Sequence, residues 1–262
     1  MSLAVAATAP FGADVLERLA EQHDVSFLLT RPDKPRGRGR RVAPPPAKAA
    51  AERLGIPVLQ PQRLDGAVEL PADAIVVCAY GLLIPPVLLE RALWLNVHPS
   101  LLPRWRGAAP VERAIMAGDA ETGVTIHETV EALDAGPIAA QEAFPIGSED
   151  DAGAVYARSA EVAARLLDAV LPEPTFTPQA EEGVTYAEKI GPADRELDLS
   201  QPEEELRRVR ALSPHIGAWA ELHGRRVIVW RARLEDGELV PVEVQPEGRR
   251  RMSYDEFLRG LR

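Results

Sequence analysis

Cysteine is almost absent: Cys78 is the single one in 262 residues. One thiol excludes an internal disulfide. The five histidines are dispersed and show no zinc-ligand spacing, so no metal is expected. Cys78 sits in the apolar run of residues 74–79, which reads as a buried strand with an unreactive thiol. Long apolar runs are missing too; nothing approaches the roughly 20 residues of a membrane helix, and no membrane partner is expected. The first seven residues carry no basic leader and run into a strand pattern, so no signal peptide is expected and the cytoplasm is the expected location. There is no P-loop and no Gly-x-Ser-x-Gly elbow, which argues against nucleotide hydrolysis and serine acyl transfer. Arg36-Gly37-Arg38-Gly39-Arg40-Arg41 lacks the third glycine of a dinucleotide fingerprint.

Cations are also in deficit, 30 Lys and Arg against 40 acids, for a net charge of -10. Taken alone, that balance speaks against a nucleic-acid partner. Phosphate attraction is local, however, and is screened over roughly 10 Å. Arg31, Lys34, Arg36, Arg38, Arg40 and Arg41 fall within one short segment, opposed only by Asp33. Smaller clusters are Arg104-Trp105-Arg106 and Arg249-Arg250-Arg251. An acidic protein with focal basic patches can still touch RNA.

Apolar runs at residues 3–7, 25–30, 57–60, 74–79 and 94–98 alternate with helical patterns at 13–22, 46–54 and 85–92. This order predicts a mostly parallel α/β sheet. Further strands are predicted at 124–128 and 139–145, and a long helix at 152–170. Prolines recur from Pro172 to Pro178, which places a domain boundary there: residues 1–171, a linker at 172–190, and a β-rich module at 191–262. In that module His223-Gly224 and Asp236-Gly237 are hairpin signals between strands, and a small barrel is one outline that fits.

The chemistry centres on Asn96 and His98. Two apart on one strand, they share a face. Pro99 and Pro103 stiffen the loop that follows, at the carboxyl edge where open α/β sheets bind ligands. Asp134, in Leu133-Asp134-Ala135-Gly136-Pro137, is a carboxylate on a turn. Beside an imidazole it would orient the ring and raise its pKa. Pattern alone also fits a capping amide, a structural histidine and a turn aspartate.

The run from Leu95 to Pro110, Leu-Asn-Val-His-Pro-Ser-Leu-Leu-Pro-Arg-Trp-Arg-Gly-Ala-Ala-Pro, resembles the signature of bacterial methionyl-tRNA formyltransferases. Its first half is shared by related 10-formyltetrahydrofolate-dependent enzymes. Ala79–Pro85, Ala117–Ile126, Leu133–Gly136 and Val184–Ile190 also resemble that family, so the likeness covers most of the chain. It implies a Rossmann-like catalytic domain followed by an OB-like β-barrel. It also implies Asn96, His98 and Asp134 as reacting groups, and Ser100, Leu101, Leu102 and Pro103 as a folate-contacting segment. The donor would be 10-formyltetrahydrofolate, and the acceptor the methionine amine on initiator methionyl-tRNA. The basic segment would be a flexible loop engaging the tRNA acceptor end, and the protein is expected to be monomeric. The same trio would serve a rival acceptor, an amino sugar nucleotide or another small amine. The likeness departs at Ala6–Phe11, which lacks the usual glycine, and at Pro214–Trp219. It departs again at Leu234–Leu239, where the C-terminal module is shortened.

Overall fold

A computed structural model describes residues 1–36 and 41–261. The chain opens with β1 (Leu3–Ala7), α1 (Pro10–Ala20), β2 (Val25–Leu29), β3 (Lys34–Arg36), β4 (Arg41–Ala43) and α2 (Pro46–Leu54). Next come β5 (Val58–Leu59), β6 (Ala74–Cys78), α3 (Pro86–Leu89), β7 (Leu93–His98) and β8 (Arg106–Gly107). Then follow α4 (Pro110–Ala117), β9 (Glu121–Glu128), β10 (Ile138–Pro145), α5 (Ala152–Val170) and β11 (Tyr186–Ala187). The chain ends with α6 (Pro202–Leu212), β12 (Ala218–Leu222), β13 (Arg225–Glu235), β14 (Glu238–Pro246), β15 (Met252–Ser253) and α7 (Tyr254–Arg259).

Seven strands form one sheet in the order β10-β9-β7-β6-β1-β2-β5. Strands β5, β2, β1, β6 and β7 run parallel, and β9 returns antiparallel to β7. Parallel strands covered on both faces need continuous apolar runs, and β1 and β6 are buried at every position. Helix α1 begins at Pro10, whose fixed φ suits a first helical residue. It buries Phe11, Val15, Leu16 and Leu19 along one stripe. A side chain at Gly12 would lie 2.4 Å from the Cys78 carbonyl oxygen and 2.7 Å from the Ala7 Cβ, so glycine lets this helix settle on the strand ends. Cys78 is buried, and burial pushes its thiol well above the ordinary value.

Two expectations change. The helix predicted over 85–92 is a single turn, Pro86–Leu89. The Arg91 amide closes a tight i−3 turn on the Leu88 carbonyl at 3.2 Å, and the Trp94 indole donates to the same oxygen at 2.8 Å, so both of its acceptor positions are used before the helix could continue. The basic segment, expected as a loop, is framed by an antiparallel ribbon in which Lys34 faces Ala43 and Pro35 faces Val42.

The chain divides into two compact units made of interleaved segments. One holds Met1–Arg106, Gly123–Ala143 and Ala157–Thr185; the other holds Gly107–Thr122, Phe144–Tyr156 and Tyr186–Arg262. The second unit carries an antiparallel sheet ordered β12-β13-β14-β15. His223-Gly224 and Asp236-Gly237 all have left-handed φ, between 51° and 80°, as tight hairpin turns of the predicted kind require. Its core joins Leu197, Val209 and Leu212 to Ala220, Val227, Val229, Val244 and Phe257. Among the described residues, no helix is long and apolar enough to cross a membrane.

Candidate active site

Asn96 and His98 lie on β7, the last parallel strand, and the antiparallel register places His127 opposite Asn96 and Thr125 opposite His98. Residues two apart on one strand and their cross-strand partners share a face, so four polar side chains converge where the sheet changes direction. Asp134 joins them from the loop between β9 and β10. Its backbone is left-handed, with φ at 47°. At Gly136 a side chain would fall 1.8 Å from the Glu128 carbonyl oxygen, so the turn packs directly on the end of β9.

The Asn96 amide nitrogen donates to Asp134 Oδ1 at 3.1 Å and to His127 Nε2 at 3.0 Å. Both histidine tautomers follow from carbonyl partners, which can only accept. His127 Nδ1 lies 2.8 Å from the Glu128 carbonyl, so Nδ1 carries the proton and Nε2 accepts from Asn96. His98 Nε2 lies 2.8 Å from the Trp105 carbonyl and donates to it. The neutral His98 ring is therefore unprotonated at Nδ1, which faces Asp134 Oδ2 at 3.7 Å.

His98 is 4% exposed. Burial pushes its pKa below the ordinary histidine value, against the pull of the Asp134 carboxylate and the Trp105 carbonyl, with His127 adding a small push downward. The expectation from sequence was a net rise caused by the carboxylate. Desolvation of a fully enclosed imidazolium outweighs that attraction here.

Ser100, Leu101, Leu102 and Pro103 follow β7 directly. Ser100 is fully buried and its hydroxyl donates to the Arg104 carbonyl at 2.7 Å. Thr125 organises the loop: its hydroxyl donates to the Ser100 carbonyl and accepts from the Leu102 amide and from Gln141 Nε2. Leu101 is half-buried and packs where any side chain at Gly123 would collide with it. The Leu102–Pro103 peptide is cis.

Of the basic segment, Arg31 is half-buried beside Gly81 and Lys34 is exposed. Arg38 and Arg40, and the side chains of Arg36 and Arg41, lie outside the described residues. Asp33, the one acid in the segment, accepts a hydrogen bond from Gln60 at 2.8 Å and is paired with Lys48 of α2 at 2.8 Å, which hold its carboxyl below the usual range. Its charge is thus committed to a partner outside the segment. Among the described residues no cluster of His, Cys, Asp or Glu could hold a metal ion.

His127, Thr125 and Gln141 do not stand out in the sequence. The strand pattern around residues 124–128 contains the first two. Their value lies in the antiparallel register with β7, which no local pattern encodes.

A parallel α/β unit that brings amide, imidazole and carboxylate groups together suits a transfer enzyme that positions two substrates. The chain belongs to the formyl transferase family: the formyl transferase model matches residues 1–171, and the model for the formyl transferase C-terminal domain matches 189–240. It is 42% identical to the methionyl-tRNA formyltransferase of Cereibacter sphaeroides over 285 aligned residues, covering 96% of this chain and 93% of that protein. The fold is also shared with the methionyl-tRNA formyltransferase of Clostridium thermocellum, at a TM-score of 0.66 and 14% identity, covering 94% of this chain and 98% of that one. An N-formyltransferase from Helicobacter canadensis in complex with folinic acid and dTDP-3-aminofucose superposes with a TM-score of 0.67 at 17% identity, over 90% of this chain and 88% of that one.

Proposed function

We propose that this protein transfers the formyl group of 10-formyltetrahydrofolate to the α-amino group of methionine on initiator methionyl-tRNA. The observation that carries this reading is 42% identity, over nearly the whole chain, to a relative named for that reaction. The donor belongs with Asn96, His98 and Asp134, and the Ser100–Pro103 segment lies against it. The tRNA belongs with the basic segment and with residues 191–262. In that module Arg226 stacks on Trp219 at 4.0 Å and Arg251 on Trp230 at 3.6 Å, side chains of the type that meet phosphates and bases.

In this mechanism the neutral methionine amine attacks the formyl carbon, giving a tetrahedral oxyanion. The amine proton has a destination in His98 Nδ1, because the Nε2 proton is committed to Trp105. As Nδ1 becomes charged, Asp134 turns its carboxylate toward the imidazolium and releases one Asn96 hydrogen to the oxyanion. His98 then protonates folate N10 as the C–N bond breaks. No covalent enzyme intermediate is required. The Asn96→Ala variant is expected to lose about 10²–10³-fold in kcat, the usual effect of removing one oxyanion donor. Its affinity for tRNA should stay within about twofold of the parent.

The deciding experiment offers the protein 10-formyltetrahydrofolate with charged initiator tRNA or with a panel of amino sugar nucleotides. Formylation of the small amines alone would overturn the tRNA acceptor. Neutralising Arg36, Arg38 and Arg40 together should raise KM for tRNA and flatten its salt dependence, by about 0.7–0.9 in log–log slope for each phosphate they cease to neutralise. An unchanged slope would remove these residues from the interface.

A further inference from the structure

The proline-rich segment after α5, which the sequence presents as a linker, is fastened along the active site. Thr177 exchanges backbone hydrogen bonds with Ile138 at the start of β10, at 2.7 and 2.9 Å. Thr185 Oγ1 accepts from the Trp105 amide at 2.9 Å, and the Thr185 carbonyl accepts from the Arg106 amide at 2.9 Å. Trp105 is the residue whose carbonyl fixes the His98 tautomer, and its own φ of 64° is left-handed. A spacer would have no need of such bonds.

Gln179 lies between these two anchors. Its Oε1 accepts from Arg106 Nε at 3.1 Å and Nη2 at 2.6 Å. Two guanidinium donors on the oxygen fix the orientation of the amide, and its nitrogen must then face the other way. There Nε2 donates to the Asp134 carbonyl and to the Gly136 carbonyl, both at 2.8 Å. All four hydrogen-bonding positions of one side-chain amide are filled. The turn it grips holds Asp134 at a left-handed φ of 47°, a conformation that a non-glycine residue resists and keeps only where its neighbours hold it.

We infer that Gln179 is a positioning residue for formyl transfer: through the Arg106–Gln179 clamp, the segment after α5 sets where the Asp134 carboxylate stands relative to His98 and Asn96. The inference rests on the proposed formyl-transfer reading for its catalytic consequence, but not for the clamp itself. Chemistry makes glutamine specific here. Asparagine is shorter by one methylene and cannot span from Arg106 to the turn. Glutamate keeps its hold on the guanidinium but has no hydrogen to give, so it sets a negative charge against two carbonyl oxygens.

Gln179→Glu is therefore the informative variant, because the ion pair with Arg106 preserves the attachment of the segment while the grip on the turn is lost. The first measurement is backbone amide exchange by mass spectrometry on the intact protein without substrates. Exchange across residues 132–138 should quicken at least tenfold, while β1, β6 and α1 keep their parental rates. The second is steady-state kinetics: kcat should fall about 10–100-fold, with KM for both substrates within twofold and the thermal unfolding midpoint unchanged within a few degrees. Gln179→Ala should show the same separation of kcat from KM. Unaltered exchange over residues 132–138 in Gln179→Glu would overturn the clamp. Quickened exchange with parental kcat would overturn the positioning role, as would a kcat loss that only follows general loss of fold. Absence of formyl transfer by the parent protein with every acceptor would instead overturn the proposed function, leaving the exchange result to decide the clamp.

Discussion

Replacing His98 by alanine is expected to lower kcat by about 10²–10⁴-fold, the range for losing a positioned general acid–base group. The effect should exceed that at Asn96, since in the proposed mechanism one imidazole handles both the proton leaving the amine and the proton reaching the folate nitrogen. Alanine would also remove the hydrogen bond that His98 Nε2 gives to the Trp105 carbonyl, whose loss costs about 1 kcal/mol. His98→Gln separates the two effects, because its amide can still donate to Trp105 but cannot shuttle a proton. Turnover near the parental rate in His98→Gln would remove His98 from the chemistry. The same variant tests the pH behaviour. Burial depresses the folded-state pKa of His98, so the unfolded chain binds the extra proton first as pH falls. The stability linked to this residue is fully present above about pH 6.5, the ordinary histidine value. It is lost as pH falls from there through the folded-state pKa. The acid limb of kcat/KM should likewise lie below pH 6.5, and the stability contribution should be absent in His98→Gln.

Asp134→Asn is expected to be of similar severity, about 10²–10⁴-fold in kcat, with little change in shape. An asparagine at this position can still offer its carbonyl oxygen to the Asn96 amide, replacing the bond at 3.1 Å. Its NH2 group would then face His98 Nδ1, the nitrogen meant to receive the proton, and occupy it as a donor. The carboxylate is also the largest influence favouring the charged ring, so its loss should move the acid limb of kcat/KM to still lower pH. A kcat/KM profile that keeps the parental acid limb in Asp134→Asn would show that the carboxylate does not act on His98. Thermal unfolding of this variant should stay near the parental midpoint, which separates a catalytic defect from a collapsed turn.

Much of the catalytic unit was legible in residue order. Continuous apolar runs are what a strand buried on both faces requires, and β1 and β6 follow them closely. The two-residue spacing of Asn96 and His98 put them on one face before any strand had a neighbour. The hairpin turns at His223-Gly224 and Asp236-Gly237 were equally plain, because few residue pairs tolerate left-handed φ in succession. Helix length after Pro85 was less legible. The carbonyl that would extend α3 is shared by the Arg91 amide and by an indole six residues later, and competition for one acceptor leaves no local trace.

The sequence by itself determined the class of fold, the strand that carries Asn96 and His98, and the concentration of cations around residues 31–41. These follow from periodicity, from φ restrictions and from covalent neighbours, all of which act over a few residues. Tertiary structure alone decided that His127 and Thr125 stand opposite Asn96 and His98, through antiparallel register. It decided that burial outweighs a nearby carboxylate in setting the charge of His98. It also decided that Gln179, 45 residues beyond Asp134, holds that residue's carbonyl. Register, desolvation and long-range hydrogen bonding depend on which surfaces meet, and chain order does not fix that one residue at a time.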